Sequence, residues 1–233
     1  MSNNQQGRTF RVNGRRTYNH VLQSAKMVGD RPNVVVVFDF DGTLTTKDTL
    51  TAFIRFTHGR IRLLLGFACH IHWLLMMILG LYPNGKAKER VFSHFYKGTT
   101  HEQFKEWGRN FAKVAETMLN SETVKKLRQH QAEGHTVCVA TASIDEWVRP
   151  VCERLGVSTL FATRIEVSAN GILTGRFLTP NCYGAQKVAR LLETFPQRQT
   201  YKLYAYGDSC GDQELLAFAD ESFRIDRRSL SKE

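Results

Sequence analysis

Cysteine is scarce and unpaired: Cys69, Cys138, Cys152, Cys182 and Cys210 contain no C-x-x-C pair. An odd, scattered set offers no disulfide framework and reads as reduced thiols of a cytoplasmic protein. Cys210 is a bystander in this reading. An apolar h-region is missing from the first 29 residues, so no secretory signal is expected. Only one long apolar run occurs, 61–82, and no second returns the chain across a bilayer. Stacking platforms and nucleic-acid recognition motifs are also absent, which argues against nucleic acid as a partner. What remains is positive charge, +10 net from 32 Lys and Arg against 22 Asp and Glu. Residues 1–33 read as a basic arm holding Arg8, Arg11, Arg15, Arg16 and Lys26. Tyr18, Val21, Leu22 and Ala25 are spaced there for a short helix. A chain of 233 residues holds one good core plus a small second lobe.

The run Val34-Val35-Val36-Val37-Phe38 reads as a strand buried on both faces, the kind found inside a parallel sheet. Asp39 and Asp41 follow at its carboxyl end, where ligands sit in open α/β sheets. Burying two unpaired carboxylates is costly, so a cationic group must neutralise them, and Mg2+ bridging to a phosphate is the natural candidate. Three further pieces share this character. Val137-Cys138-Val139-Ala140-Thr141-Ala142-Ser143 is an apolar strand ending in hydroxyls. Lys187 stands at a helix start after Gly184. Leu203-Tyr204-Ala205-Tyr206-Gly207-Asp208-Ser209-Cys210-Gly211-Asp212 is a strand followed by a second acidic turn.

Singly, each is a common turn, cap or surface lysine. Collinear, from residue 34 to about 225, they resemble the four motifs of the haloacid dehalogenase-like hydrolase superfamily, in its phosphatase branch. The resemblance implies Asp39 as the nucleophile that forms an aspartyl-phosphate. It implies Asp41, on the same side of the strand by period two, as general acid and then base. Superfamily dehalogenases lack this second aspartate, so its presence points to phosphate esters. The resemblance further implies Mg2+ held by the Asp39 carboxylate, the Asp41 carbonyl and Asp208, with Asp212 ligating through water or orienting the others. Thr141 and Lys187 would hold phosphate oxygens. Gly42, Asp48 and Ser143 join the expected substrate-contacting positions.

The expected fold is α/β: a Rossmann-like parallel sheet core, residues 34–48 and 130–233, with an all-helical C1 cap inserted at 49–129. Phe104, Trp107, Phe111, Val114 and Met118 recur at helical spacing, and Gly134 closes a second helix through Val124 and Leu127. In the core, a strand is expected at 136–141 and a helix at 145–155 stopped by Gly156. Strands at 163–167 and 172–178 flank Asn170-Gly171, a hairpin turn. A helix at 184–194, a strand at 202–206, a helix at 212–219 and a strand at 222–225 follow. The cap position resembles subfamily IB, the phosphoserine-phosphatase-like group.

Two features depart from phosphoserine phosphatases. Asp48 stands where they carry a glutamate, and the run 61–82 has only Arg62, His70 and His72 as strongly polar residues. Both are more similar to the phosphatidylglycerophosphatase C type, as are Leu178, Thr179 and Cys182 before Gly184 and the basic tail Arg224, Arg227 and Arg228. A single membrane crossing would separate Asp39 from Thr141, Lys187 and Asp208. The run is therefore a buried cap helix pair or one dipping into the surface of an anionic membrane. Arg55, Arg60, Arg62, Lys86, Lys88 and Arg90 flank it. The expected substrate is a phosphate ester, either phosphatidylglycerophosphate or a similar lipid, or phosphoserine or another small metabolite. The expected location is cytoplasmic, peripheral at the cytoplasmic face of the membrane. The sequence leaves the oligomeric state open.

Overall fold

The computed structural model describes residues 33–226; the expected helix around Tyr18–Ala25 and the basic residues Arg227 and Arg228 lie outside them. At its centre is a five-stranded sheet, every pairing parallel, in the order β3-β2-β1-β6-β7. These strands are β1 (Asn33–Phe38), β2 (Thr136–Ile144), β3 (Thr159–Thr163), β6 (Tyr201–Gly207) and β7 (Glu221–Arg224). The valine run explains the centre. Val36 and Phe38 enter one hydrophobic cluster and Val35 and Val37 the other, as alternation across a doubly covered strand requires. From β1 the chain builds outward through β2 to β3, then returns to the opposite side of β1 for β6 and β7. That reversal puts a crevice between the carboxyl ends of β1 and β6, the place where such sheets bind ligands.

Three helices follow β1: α1 (Thr49–Ile78), α2 (Asn84–Tyr96) and α3 (His101–Glu116). The α1 helix bends at Gly59, which has φ 81° and ψ 171°. Side chains from all three helices meet in an aromatic cluster of Phe53, Phe92, Tyr96, Phe104 and Phe111. Trp147 joins it from the core side, stacked on Phe53 with centroids 4.6 Å apart. The spacing expected for α3 buries Phe104 and Phe111, whereas Val114 points outward. Helix α4 (Ser121–Ala132), capped by Asn120, had been expected within the cap through residue 129. It packs on β2 instead, and its His130 Nε2 lies 2.9 Å from the Tyr206 hydroxyl.

Helix α5 (Asp145–Arg154) connects β2 to β3. The hairpin of β4 (Ile165–Val167) and β5 (Leu173–Phe177) turns at Asn170-Gly171, where Gly171 takes the left-handed φ of 73°. It is tied to the cap through the Gly98 N–H, which donates to the Leu173 carbonyl at 2.9 Å. Helices α6 (Ala185–Thr194) and α7 (Gln213–Phe218) complete the core.

The apolar run is neither a helix pair nor buried. After the break at Gly59 it forms one helical segment ending at Ile78, and Ile61, Leu64, Ile78, Leu79 and Leu81 are each more than two-thirds exposed.

Candidate active site

Four segments meet at the crevice. The Asp39 N–H donates to the Tyr206 carbonyl at 2.8 Å, which fixes the end of β1 to the end of β6. Gly184, with φ 61°, opens α6 and sets Lys187 in its first turn. The Lys187 Nζ then donates to Asp39 Oδ1 and to Asp212 Oδ1, each at 2.5 Å. All three side chains are buried. Asp212 is oriented through its other oxygen, which accepts from the Asp208 N–H at 3.2 Å, the Ser209 N–H at 3.0 Å and the Ser209 hydroxyl at 2.9 Å. A β-carbon at Gly207 would lie 2.6 Å from that of Asp212, so the turn closes only with glycine there.

Asp41 is held separately. Its Oδ1 accepts the Thr49 N–H at 2.7 Å, at the first residue of α1, and its Oδ2 accepts the Ser143 hydroxyl at 2.5 Å. Thr49 and Ser143 hydroxyls are 3.2 Å apart, and Trp147 Nε1 donates to Thr49 Oγ1 at 3.2 Å. Core, cap and β2 thus converge on one carboxylate.

These surroundings set the charges. Burial, partly offset by Lys187, pushes the Asp39 carboxyl up to about 7. Burial followed by the charge of Asp48 also raises Asp41, against Lys88 and the hydrogen bonds from Ser143 and Thr49. For Lys187, burial is outweighed by Asp39 and Asp212, which hold its ammonium above the ordinary lysine value. Asp212 moves below the usual carboxylate range, because Lys187 and the Ser209 hydrogen bonds outweigh its burial.

Carboxylate oxygens of Asp39, Asp208 and Asp212 all lie within 4.8 Å of one another. The Thr43 hydroxyl donates to Asp208 at 3.4 Å. Three buried oxygen donors, with one ammonium as the positive charge in contact with two of them, suit a hard dication such as Mg2+.

A cavity of 610 Å³ opens over this cluster. Asp39, Asp41, Asp48, Lys88, Thr141 and Lys187 are among its polar lining, and Leu50, Phe67, Ile71, Leu74, Met77 and Val91 form its apolar part. A larger hollow of 790 Å³ is lined by Arg149, Arg164 and Arg190 but by none of the motif aspartates, so the chemistry belongs to the smaller one.

Two expected substrate contacts sit elsewhere. Gly42 is buried in the turn after β1 with φ 84°, and Ser143 is fully buried behind Asp41; neither lines the cavity. Asp48 does line it, and its carboxylate also caps α1 by accepting the Thr51 N–H at 2.8 Å. Sequence reasoning missed Thr49 and Lys88. Thr49 looks like any residue after a helix cap. Lys88 reaches the cavity from α2, donating to the Ala142 carbonyl at 2.9 Å. Asn84 and Lys88, four residues apart, share that helix face, a signal visible only once the helix is known to cover the site.

The model of the haloacid dehalogenase-like hydrolase family matches residues 36–217. Protein CicA of Caulobacter vibrioides is 36% identical over 202 residues, covering 86% of this chain and 89% of that protein. A Bordetella pertussis Tohama I protein of unknown function superposes with a TM-score of 0.70 at 21% identity, covering 82% of this chain and 89% of that one. A phosphoserine phosphatase holding an analogue of its phospho-aspartyl intermediate superposes with a TM-score of 0.59 at 18% identity, covering 87% and 99%.

Proposed function

The chain belongs to the haloacid dehalogenase-like hydrolase family, and from that premise we propose that it is a phosphomonoesterase acting on a lipid phosphate such as phosphatidylglycerophosphate. An Asp39 oxygen attacks phosphorus, the ester P–O bond breaks, and Asp41 gives its proton to the leaving alkoxide. Burial raises the Asp41 carboxyl above its ordinary value, the direction a general acid needs, while Thr49 and Ser143 orient it. Asp41 then takes a proton from water, whose oxygen attacks the aspartyl-phosphate, and Asp39 leaves as a carboxylate. Lys187 and the Thr141 hydroxyl hold the phosphoryl oxygens. Asp39, Asp208 and Asp212 would hold Mg2+, which supplies charge neutralisation at the phosphoryl group.

The observation that carries the lipid reading is the cavity wall. On the side of α1 it is apolar, formed by Phe67, Ile71, Leu74 and Met77. A small charged metabolite has no use for that surface, whereas an acyl chain does. The same reading places the enzyme in the cytoplasm, peripheral to an anionic membrane. One observation favours phosphoserine: Asp48 and Lys88 both line the cavity and offer partners to an amino group and a carboxylate.

Phosphate release from phosphatidylglycerophosphate in neutral detergent micelles, measured beside phosphoserine with added Mg2+, decides between them. The expected result is a preference for the lipid, abolished by Asp39→Asn. Preference for phosphoserine would overturn the lipid reading.

A further inference from the structure

One face of α1 is turned away from the other described elements. Ile61, Leu64, Leu65, Leu75, Ile78 and Leu79 recur at helical spacing and are all more than half exposed. With Ala68 and Cys69 they form a stripe about 27 Å long. In the most apolar window of the helix only 11% of residues are buried. The adjoining face supplies Phe67, Ile71, Leu74 and Met77 to the cavity wall, so the same helix carries both the stripe and one wall of the cavity. Its ends return to the same body, through buried Phe53 and Ile54 before the stripe and Ala87 and Val91 after it. Such a helix lies along a surface and does not cross one.

Charge names the surface. No Asp or Glu occurs between Asp48 and Glu89, while Arg55, Arg60 and Arg62 gather at the start of the stripe and Lys86 and Arg90 follow it. At the far end, Arg90 lies 4.1 Å over the Trp73 ring and its Nε donates to the Tyr82 hydroxyl at 2.9 Å. Aromatic and basic side chains of this kind settle at lipid headgroup level.

We propose that the outward face of α1 lies in an anionic bilayer, with the arginine and lysine rims on the headgroups, so that the cavity receives its substrate directly from the lipid layer. The route of the substrate rests on the lipid-phosphate reading; the docking does not. Vesicles of phosphatidylglycerol and phosphatidylcholine, which carry no phosphomonoester, therefore test it alone. The full chain is expected to co-sediment with them, less so with phosphatidylcholine only and less at high salt. The vesicles are expected to shield Cys69 from alkylation, read by mass spectrometry. The variant Leu64→Ser/Leu75→Ser/Ile78→Ser is expected to lower partitioning at least about tenfold while hydrolysing a soluble phosphate ester at the wild-type rate, which shows that it is folded.

Full-length protein left in the supernatant, unshielded Cys69, or a triple variant that binds as well as wild type would each overturn the docking. So would a wild-type dimer that the triple substitution splits and that ignores vesicles, because the face would then be a contact between copies. Vesicle binding without hydrolysis of micellar lipid phosphate would support the docking and sink the substrate reading. Micellar hydrolysis without vesicle binding would do the reverse.

Discussion

Replacing Lys187 with Met isolates the electrostatic centre of the site. The ammonium contacts two buried carboxylates at 2.5 Å, and both oxygens lose that partner in the variant. Removing one member of a buried ion cluster costs about 3–5 kcal/mol, since the remaining charges stay desolvated. At ~2.1 cal/mol/K per residue, the 233-residue chain has an unfolding entropy near 0.5 kcal/mol/K. The loss then corresponds to roughly 6–10 °C in Tm. The assay is thermal unfolding in EDTA at pH 8. The gap should narrow at lower pH for a definite reason. With its folded pKa raised from 3.8 to about 7, Asp39 binds more protons folded than unfolded between those values. Stability from this group is present at low pH and lost as pH rises through the folded value. Removing Lys187 raises that value further, so acid relieves the variant more than the wild type. Added Mg2+ should also restore more stability to the variant, because a dication replaces the missing positive charge. A variant that melts within a degree of wild type in EDTA at pH 8 would refute the idea that Lys187 compensates this cluster.

Asp41→Asn keeps the shape of a side chain held by Thr49 and Ser143 but removes the proton shuttle, so phosphate release should fall about 10²–10⁴-fold with the fold retained; activity within tenfold of wild type would contradict the acid/base role. Gly108→Ala would drive a β-carbon into the Glu146 carbonyl where α3 crosses α5, and should cost about 1–3 kcal/mol in urea unfolding. His130, nearly buried, has its pKa lowered from 6.5 by burial first and then by the charge of His135. Its folded form therefore binds fewer protons than the unfolded chain just below pH 6.5, so stability should drop as pH falls through that range. The urea midpoint, followed from pH 7.5 to 5, should show this drop in wild type and a smaller one in His130→Gln.

Local strings carried much of this architecture. The valine run sufficed for a central strand, because a segment apolar on both faces has few other places to lie. Asn170-Gly171 sufficed for a hairpin, because its geometry demands a left-handed residue at one position. Strand β3 was harder to read. Thr159–Thr163 is a five-residue edge strand paired only with β2, too short to show a clear period of two. Helix α4 looked like a continuation of the cap because period 3.6 reports an apolar face and not what covers it. The contact between His130 and Tyr206, which assigns it to the sheet, spans 76 residues.

The same limit governs the site. Asp39, Asp41, Asp208 and Lys187 stood out because each sits at a strand end or helix start whose form is local. Thr49 did not, since its value comes from three partners, Asp41, Ser143 and Trp147, that only the folded chain assembles. Ser143 shows the converse. The resemblance makes it a substrate contact, yet the extended β2 carries it past the cavity to the back of Asp41. The apolar run is the sharpest case. Composition alone fits a helix wrapped by its own cap and a helix laid on lipid equally well, because both environments select the same residues. The two are separated by exposure: α2 and the cavity rim occupy one side of α1, and Ile61, Leu64, Leu75, Ile78 and Leu79 on the other are more than half exposed. A stripe of that length left facing water is a cost that a partner surface removes, and the lack of Asp and Glu between Asp48 and Glu89 sets the sign of that partner.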